Sequence, residues 1–182
     1  MAYAVVIMGV SGCGKSAVAA GMAHRLGWRA VDADDLHVPE AVAKMRAGQA
    51  LTDDDRAPWL DRVGGVLAAA HAMQAGTLVA CSALRRSYRD RLRAVCPGLR
   101  FVFLDGDRAV LDARMALRLG HYMPTSLLES QLRTLERPGL DEPDVLRLDI
   151  LPPLDTLVQQ ACMALLQQAD LSVDAPPKKP IA

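Results

Sequence analysis

The most constraining stretch of this chain is GVSGCGKS at 9–16, which directly follows the apolar run AYAVVIM and directly precedes a helical pattern. It matches G-x-x-x-x-G-K-[ST] in the strand, loop and helix context that the motif requires. Glycines at these positions let successive N–H groups turn inward around a phosphate, and a helix starting near Lys15 adds the positive end of its dipole. Gly9, Ser11, Gly12, Cys13, Gly14, Lys15, Ser16 and Ala17 are therefore the candidate nucleotide-binding residues. Lys15 is suited to bridge β- and γ-phosphates, and the Ser16 hydroxyl to ligate Mg²⁺. Cys13 fills a free position of the motif, as a spacer or as a thiol at a helix N-terminus.

The rest of the chain follows the same alternation. WRAVDAD, TLVACSA, LRFVFLDG and DVLRLDI read as further strands, separated by helical patterns near Ser16–Leu26, Pro39–Ala47, Pro58–Ala75, Ser87–Val95, Arg108–Leu119, Pro124–Glu136 and Leu154–Ala169. That order predicts an α/β domain around a mostly parallel five-stranded sheet. The 182 residues, 51% hydrophobic and 4% aromatic, fit one compact domain over 1–170. The Pro- and Lys-rich segment 171–182 has little to bury and reads as a disordered tail.

Lys+Arg and Asp+Glu number 21 each, so phosphate recognition must be local, and neither nucleic acid nor an anionic membrane is an expected partner. Cys13, Cys81, Cys96 and Cys162 are far apart with no C-x-x-C pair, which argues against a zinc knuckle or disulfide scaffold and for a reducing cytoplasm. The short apolar run before Gly9 has no basic region ahead of it, so no signal peptide is expected.

A phosphate loop alone leaves switch GTPases, motor ATPases and small-molecule kinases open. No N-K-x-D guanine motif is present, and TLVACSA ends in Cys81-Ser82 rather than in a metal-binding Asp, which weighs against the first two. The second strand instead ends Val31-Asp32-Ala33-Asp34-Asp35, and the carboxyl end of a parallel strand lies beside the ligand crevice. Alternation along a strand places Asp32 and Asp34 on one side. One carboxylate is then available to order the Mg²⁺ shell, here Asp32, and the other, Asp34, to accept the proton of an attacking hydroxyl. A solvated acidic loop or helix cap is the alternative reading of this pair.

Five segments in order, GVSGCGKS, DADDLHV, GQALTDDDRAPWL, CSALRRSYRD and GHYM, have counterparts in the gluconate kinases, whose blocks run GVSGSGKS, DGDxLHP, GxPLxDxDRxPWL, CSALKxxYRD and GHFM. The chain resembles that family from about Ala4 to Ala164 and departs from its pattern at Ala33, Val38, Ala50 and Arg85. The resemblance implies a P-loop NTPase three-layer sandwich of the nucleoside-monophosphate-kinase type with a short lid, ATP and Mg²⁺ as cofactors, gluconate as acceptor, and a homodimer.

An open-chain sugar acid needs cations for its carboxylate and neutral or anionic acceptors for its hydroxyls. Arg56, Arg85 and Arg89 are candidates for the first role, with Arg86 beside them, and Asp34, His37 and Tyr88 for the second. The R-R-x-x-R-D-R run also reads as a solvated helix face, and His37 as a local cap or packing group. Arg56 precedes Pro58, which reads as the first residue of a helix, and Trp59 reads as core or support. Arg114 and Arg118 lie four apart on one helical face, followed by Gly120 and His121, where kinases of this fold carry a lid that reaches the nucleotide. Lys15, Asp34 and Arg118 are the expected catalytic residues, and His121 an expected substrate contact. Other readings are a shikimate-kinase-like or other sugar-acid or polyol kinase, a nucleoside-monophosphate kinase, and a non-catalytic nucleotide-binding regulator.

Overall fold

In a computed structural model that describes residues 4–116 and 125–173, the strands are β1 (Ala4–Met8), β2 (Arg29–Asp32), β3 (Thr77–Ala80), β4 (Arg100–Asp105) and β5 (Val145–Asp149). They form one sheet in the order β2-β3-β1-β4-β5, and every pairing is parallel. The helices are α1 (Lys15–Leu26), α2 (Pro39–Arg46), α3 (Asp53–Ala72), α4 (Arg86–Val95), α5 (Arg108–Ala116), α6 (Thr125–Thr134) and α7 (Leu154–Val173). Because α7 reaches Val173, the last turn of that helix extends past residue 170, and 174–182 lie outside the described residues.

The central strand shows why the sequence reads as it does. AVVIM is apolar at every position because a parallel strand between helical layers is buried on both faces. Val5 and Ile7 join one core with Val18 and Met22 of α1 and Leu157 and Ala161 of α7. Val6 and Met8 join a second core with Val63 and Leu67 of α3 and Leu92 of α4. The result is the expected three-layer sandwich, with the sheet wholly parallel.

Two local expectations are corrected. β2 stops at Asp32, and Ala33–Leu36 form a 3₁₀ turn, so strand alternation does not orient Asp34. Instead Asp32 Oδ1 accepts the Asp34 N–H at 3.0 Å and caps that turn. α3 begins at Asp53, not at Pro58, because Thr52 and Asp55 form a reciprocal capping box: the Asp55 N–H donates to Thr52 Oγ1 at 3.2 Å and the Thr52 N–H to Asp55 Oδ2 at 2.9 Å. Three acidic residues in the first turn complement the helix dipole, which offsets the hydrogen bond lost at Pro58 inside the helix. The shift puts Asp53 and Arg56 on one helical face, three residues apart.

Candidate active site

The carboxyl ends of β1, β2 and β3 are neighbours in the sheet, and each carries part of one cleft. The cleft is lined by Ser11 and Lys15 of the glycine-rich loop, Asp34 and His37 after β2, Arg56 and Trp59 of α3, Ser82 and Leu84 after β3, and Gln131 of α6. The loop is stitched to its neighbour where the Gly9 N–H donates to Ser82 O at 3.3 Å. Gly9 has φ +140, and a Cβ there would stand 2.8 Å from Leu104 O, so only glycine passes between β1 and β4. Gly14 caps α1 in the left-handed region at φ 102, which leads directly into Lys15 and Ser16.

Lys15 Nζ donates to Val10 O at 3.1 Å, folded over its own loop. The Ser16 hydroxyl donates to Asp32 Oδ2 at 2.6 Å, which brings the two expected metal-site residues together. A hydroxyl and a carboxylate are hard oxygen donors, the set that suits Mg²⁺ when phosphates and water complete the shell. Among the described residues no group of three or more His, Cys, Asp or Glu is arranged to hold a metal.

Cys13 is fully buried, packed under Gly9, and burial pushes its thiol pKa up against the opposing pull of Lys15 and Arg114. It is a packing residue of the loop rather than a reactive thiol. Arg114 donates to Ile150 O at 2.6 Å and to Cys13 O at 3.4 Å, so it clasps the back of the loop to the segment after β5. Arg118 and His121 lie outside the described residues, as do Gly120 and the expected lid.

On the other side of the cleft, Trp59 Nε1 donates to Ala33 O at 2.6 Å and so supports the turn that carries Asp34. His37 stacks on Trp59, with ring centroids 4.6 Å apart and 6° between planes. Burial, reinforced by Arg56 and Arg62, lowers the His37 pKa to about 4, so its ring is neutral at physiological pH. Its Nδ1 is buried with no protein hydrogen bond.

Arg56, Arg85 and Tyr88 converge on one group that the sequence reading did not single out, the carboxylate of Asp53. Arg85 donates to Asp53 Oδ2 at 2.7 Å, Arg56 reaches Asp53 Oδ1 at 3.5 Å and Tyr88 at 3.3 Å, and the Tyr88 hydroxyl donates to Asp53 Oδ1. The signal was present in the D-x-x-R spacing, but it becomes a contact only once α3 is known to start at Asp53.

Arg89 does not join this cluster. Its side chain is 1% exposed, and Nε and Nη2 donate to Glu142 at 2.7 and 2.6 Å, while Nη1 donates to Ala83 O and Leu84 O, both at 3.2 Å. Every donor edge faces protein, so the expected direct substrate contact is replaced by support of the Ser82–Leu84 loop from below. That loop holds Ala83 at φ 41, a left-handed conformation that needs such reinforcement. Arg86 also points elsewhere, to Asp141 and Asp90.

Truncating Arg89 to alanine leaves the Glu142 charge buried with only Arg93 beside it, and is expected to cost about 3–5 kcal/mol of stability by urea unfolding. The pair also sets an acid limit. Burial would raise the Glu142 pKa, but hydrogen bonds from Arg89 and Arg93 overcome it and hold the carboxyl well below its ordinary value of 4.5. A depressed carboxyl contributes stability that is complete above the unfolded value and lost as pH falls below it. Unfolding midpoints measured from pH 6 downward should therefore drop below about pH 4.5, and Glu142→Gln should flatten that drop.

The fold, the loop with its Lys15 and Ser16, and Asp32 at the end of β2 define a P-loop kinase. Comparison narrows the class. A family model described as an AAA domain matches residues 5–138. The chain is 45% identical over 153 residues to the thermoresistant gluconokinase of Escherichia coli, covering 84% of this chain and 87% of that protein. It is 50% identical over 143 residues to the gluconokinase of Gluconobacter oxydans, covering 76% of this chain and 78% of that one. The crystal structure of a gluconokinase from Sinorhizobium meliloti superposes with a TM-score of 0.86 at 44% identity, over 95% of this chain and 98% of the other. This chain belongs to the gluconokinase family.

Proposed function

We propose that the protein transfers the terminal phosphoryl group of ATP to D-gluconate, giving ADP and 6-phospho-D-gluconate, by direct in-line displacement with no phosphoenzyme. The observation that carries this reading is the joining, in one cleft, of the loop lysine, the Asp34 carboxylate and the Arg56 side chain, which links to Tyr88 and Asp53. The first belongs to phosphate handling, the second to hydroxyl activation and the third to a carboxylate-bearing acceptor.

Lys15 turns from Val10 O to the phosphates and offsets charge on the moving phosphoryl group. Asp34, fixed by the cap from Asp32, orients the acceptor hydroxyl and takes its proton. Neutral His37, with an unpaired Nδ1, offers a hydrogen-bond acceptor to another hydroxyl of the sugar chain. Asp53 holds Arg56 and Arg85 ready for the substrate carboxylate, which replaces it as their partner. Ser16 and Asp32 would hold Mg²⁺, which would supply charge neutralisation to the phosphates. Arg114 supports the nucleotide side by bracing the glycine-rich loop, and Arg118 completes that side as a lid residue, with His121 beside the acceptor. The four separated thiols, each buried, suit a reducing cytoplasm. Among the described residues no helix is long and apolar enough to cross a membrane. The family resemblance supports a homodimer.

Arg56→Ala should raise KM for gluconate at least about tenfold while changing KM for ATP much less, since a charge-assisted contact to the acceptor is local. A loss confined to ATP would place Arg56 on the nucleotide instead. The product identifies the reaction: ³¹P and ¹³C spectra should show phosphorus coupled to the terminal carbon of gluconate, and phosphate on any other carbon would refute the assignment.

A further inference from the structure

The glycine-rich loop makes a contact that neither its motif nor the blocks shared with gluconate kinases include. The backbone N–H of Ser11 donates to Gln131 Oε1 at 2.6 Å, across 120 positions of chain. Loop N–H groups of this kind are the donors that hold phosphate oxygens. Gln131 and Ser130, on α6, line the same cleft as Lys15, Asp34 and Arg56. A neutral side-chain oxygen thus stands against a loop amide where a phosphate oxygen is due, between the nucleotide and acceptor sides.

We propose that Gln131 is a binding residue for the transferring phosphoryl group. A carboxamide carries an acceptor oxygen and two N–H donors on one planar end. Oε1 accepts the Ser11 N–H in this structure. Once a terminal phosphoryl oxygen takes that N–H, two acceptors would face each other, and rotation of the carboxamide presents Nε2 to the phosphoryl group instead. One side chain can so pair with the loop amide through its oxygen and offer its nitrogen to a bound phosphoryl group. Glutamate could not make that exchange: its charge would hold the Ser11 N–H more tightly and repel the phosphoryl oxygens.

The placement of Gln131 is fixed from the acceptor side as well. Just beyond α6, the Glu136 N–H donates to Leu84 O at 2.9 Å, and the Glu136 carboxylate accepts the Arg86 N–H at 2.7 Å. These bonds tie the end of α6 to the loop that Arg89 supports and to the start of α4, so Gln131 keeps its position relative to both halves of the cleft.

The inference rests on the kinase reading, and its test separates the two. Binding of ADP and of a non-hydrolysable ATP analogue to the full chain, measured by calorimetry, needs no acceptor and stands whatever the acceptor is. Gluconate-dependent turnover of the unaltered chain tests the kinase reading alone. Gln131→Glu should weaken the ATP analogue at least about tenfold and ADP distinctly less, because ADP lacks the terminal group. Gln131→Met should lower kcat at least about tenfold, while affinity for the ATP analogue stays within about threefold because loss of the competing oxygen offsets loss of the donor. Gln131→Glu binding the ATP analogue as tightly as the unaltered chain, or weakening ADP and the analogue alike, would overturn the proposal. So would Gln131→Met keeping its kcat within about threefold, whatever its melting temperature.

Discussion

Lys15→Ala is expected to reduce phosphoryl transfer by about a thousandfold or more while leaving the fold intact. The side chain ends on a single backbone carbonyl of its own loop, Val10 O at 3.1 Å, and faces the cleft rather than either core. Its removal therefore forfeits little packing, and an unfolding free energy within about 1 kcal/mol of the parent is expected. What it does remove is the only cation that the loop motif itself supplies, at the point where charge builds on the bridging oxygen of the leaving diphosphate. Protein dipoles and cations aimed at developing charge in a cleft are the largest single contribution to catalysis of this kind, and their loss is felt in kcat more than in substrate binding. A folded Lys15→Ala protein that still turns over at a rate near the parent would remove the loop from the chemistry.

Asp34→Asn is the second large effect, a loss of about a hundredfold or more in kcat with nucleotide affinity little changed. Asparagine preserves the size of the side chain and one acceptor oxygen, and it removes the negative charge and the proton site. The backbone should not move, since the 3₁₀ turn is held by the Asp34 N–H on Asp32 Oδ1 and by Trp59 on Ala33 O, neither of which involves the Asp34 side chain. In a loose transition state the hydroxyl proton leaves late, so part of the loss reflects misorientation of the nucleophile. Asp32 is the natural control: its carboxylate already bonds Ser16 and caps the turn, so Asp32→Asn should impair Mg²⁺-dependent nucleotide binding as well as turnover. Asp34→Asn retaining kcat within about threefold would transfer the acceptor role away from Asp34.

The fold could be read from residues because its signals are local. AVVIM followed by GVSGCGKS and a helical pattern specifies strand, loop and helix from consecutive positions, and the resulting pairing of Ser16 with Asp32 follows from β2 lying near β1 across β3. The acceptor side was harder, since there the decisive facts are cap chemistry and long-range partners. Pro58 drew attention as a helix start, whereas the capping box at Thr52 and Asp55 begins α3 five residues earlier and turns Asp53 toward Arg56, Arg85 and Tyr88. Arg89 looked like Arg85 in sequence, and only its burial against Glu142, 53 positions away, separates a supporting residue from a cleft residue. Gln131 carried no signal at all: a lone glutamine on an amphipathic helix gains meaning only from the amide it meets 120 positions away.

The central claim is that one cleft joins an ATP phosphate site to a sugar-acid site. It is tested most directly by a coupled assay of ADP formation with Mg²⁺-ATP and a panel of acceptors: gluconate, other open-chain sugar acids, neutral polyols and shikimate. ADP release that is negligible without acceptor, highest in kcat/KM with gluconate and much lower with neutral polyols of equal length is the predicted result, because the proposed role of Arg56 and Arg85 requires a carboxylate on the acceptor. Equal turnover with gluconate and a neutral polyol, preference for shikimate, or no acceptor dependence at all would contradict it.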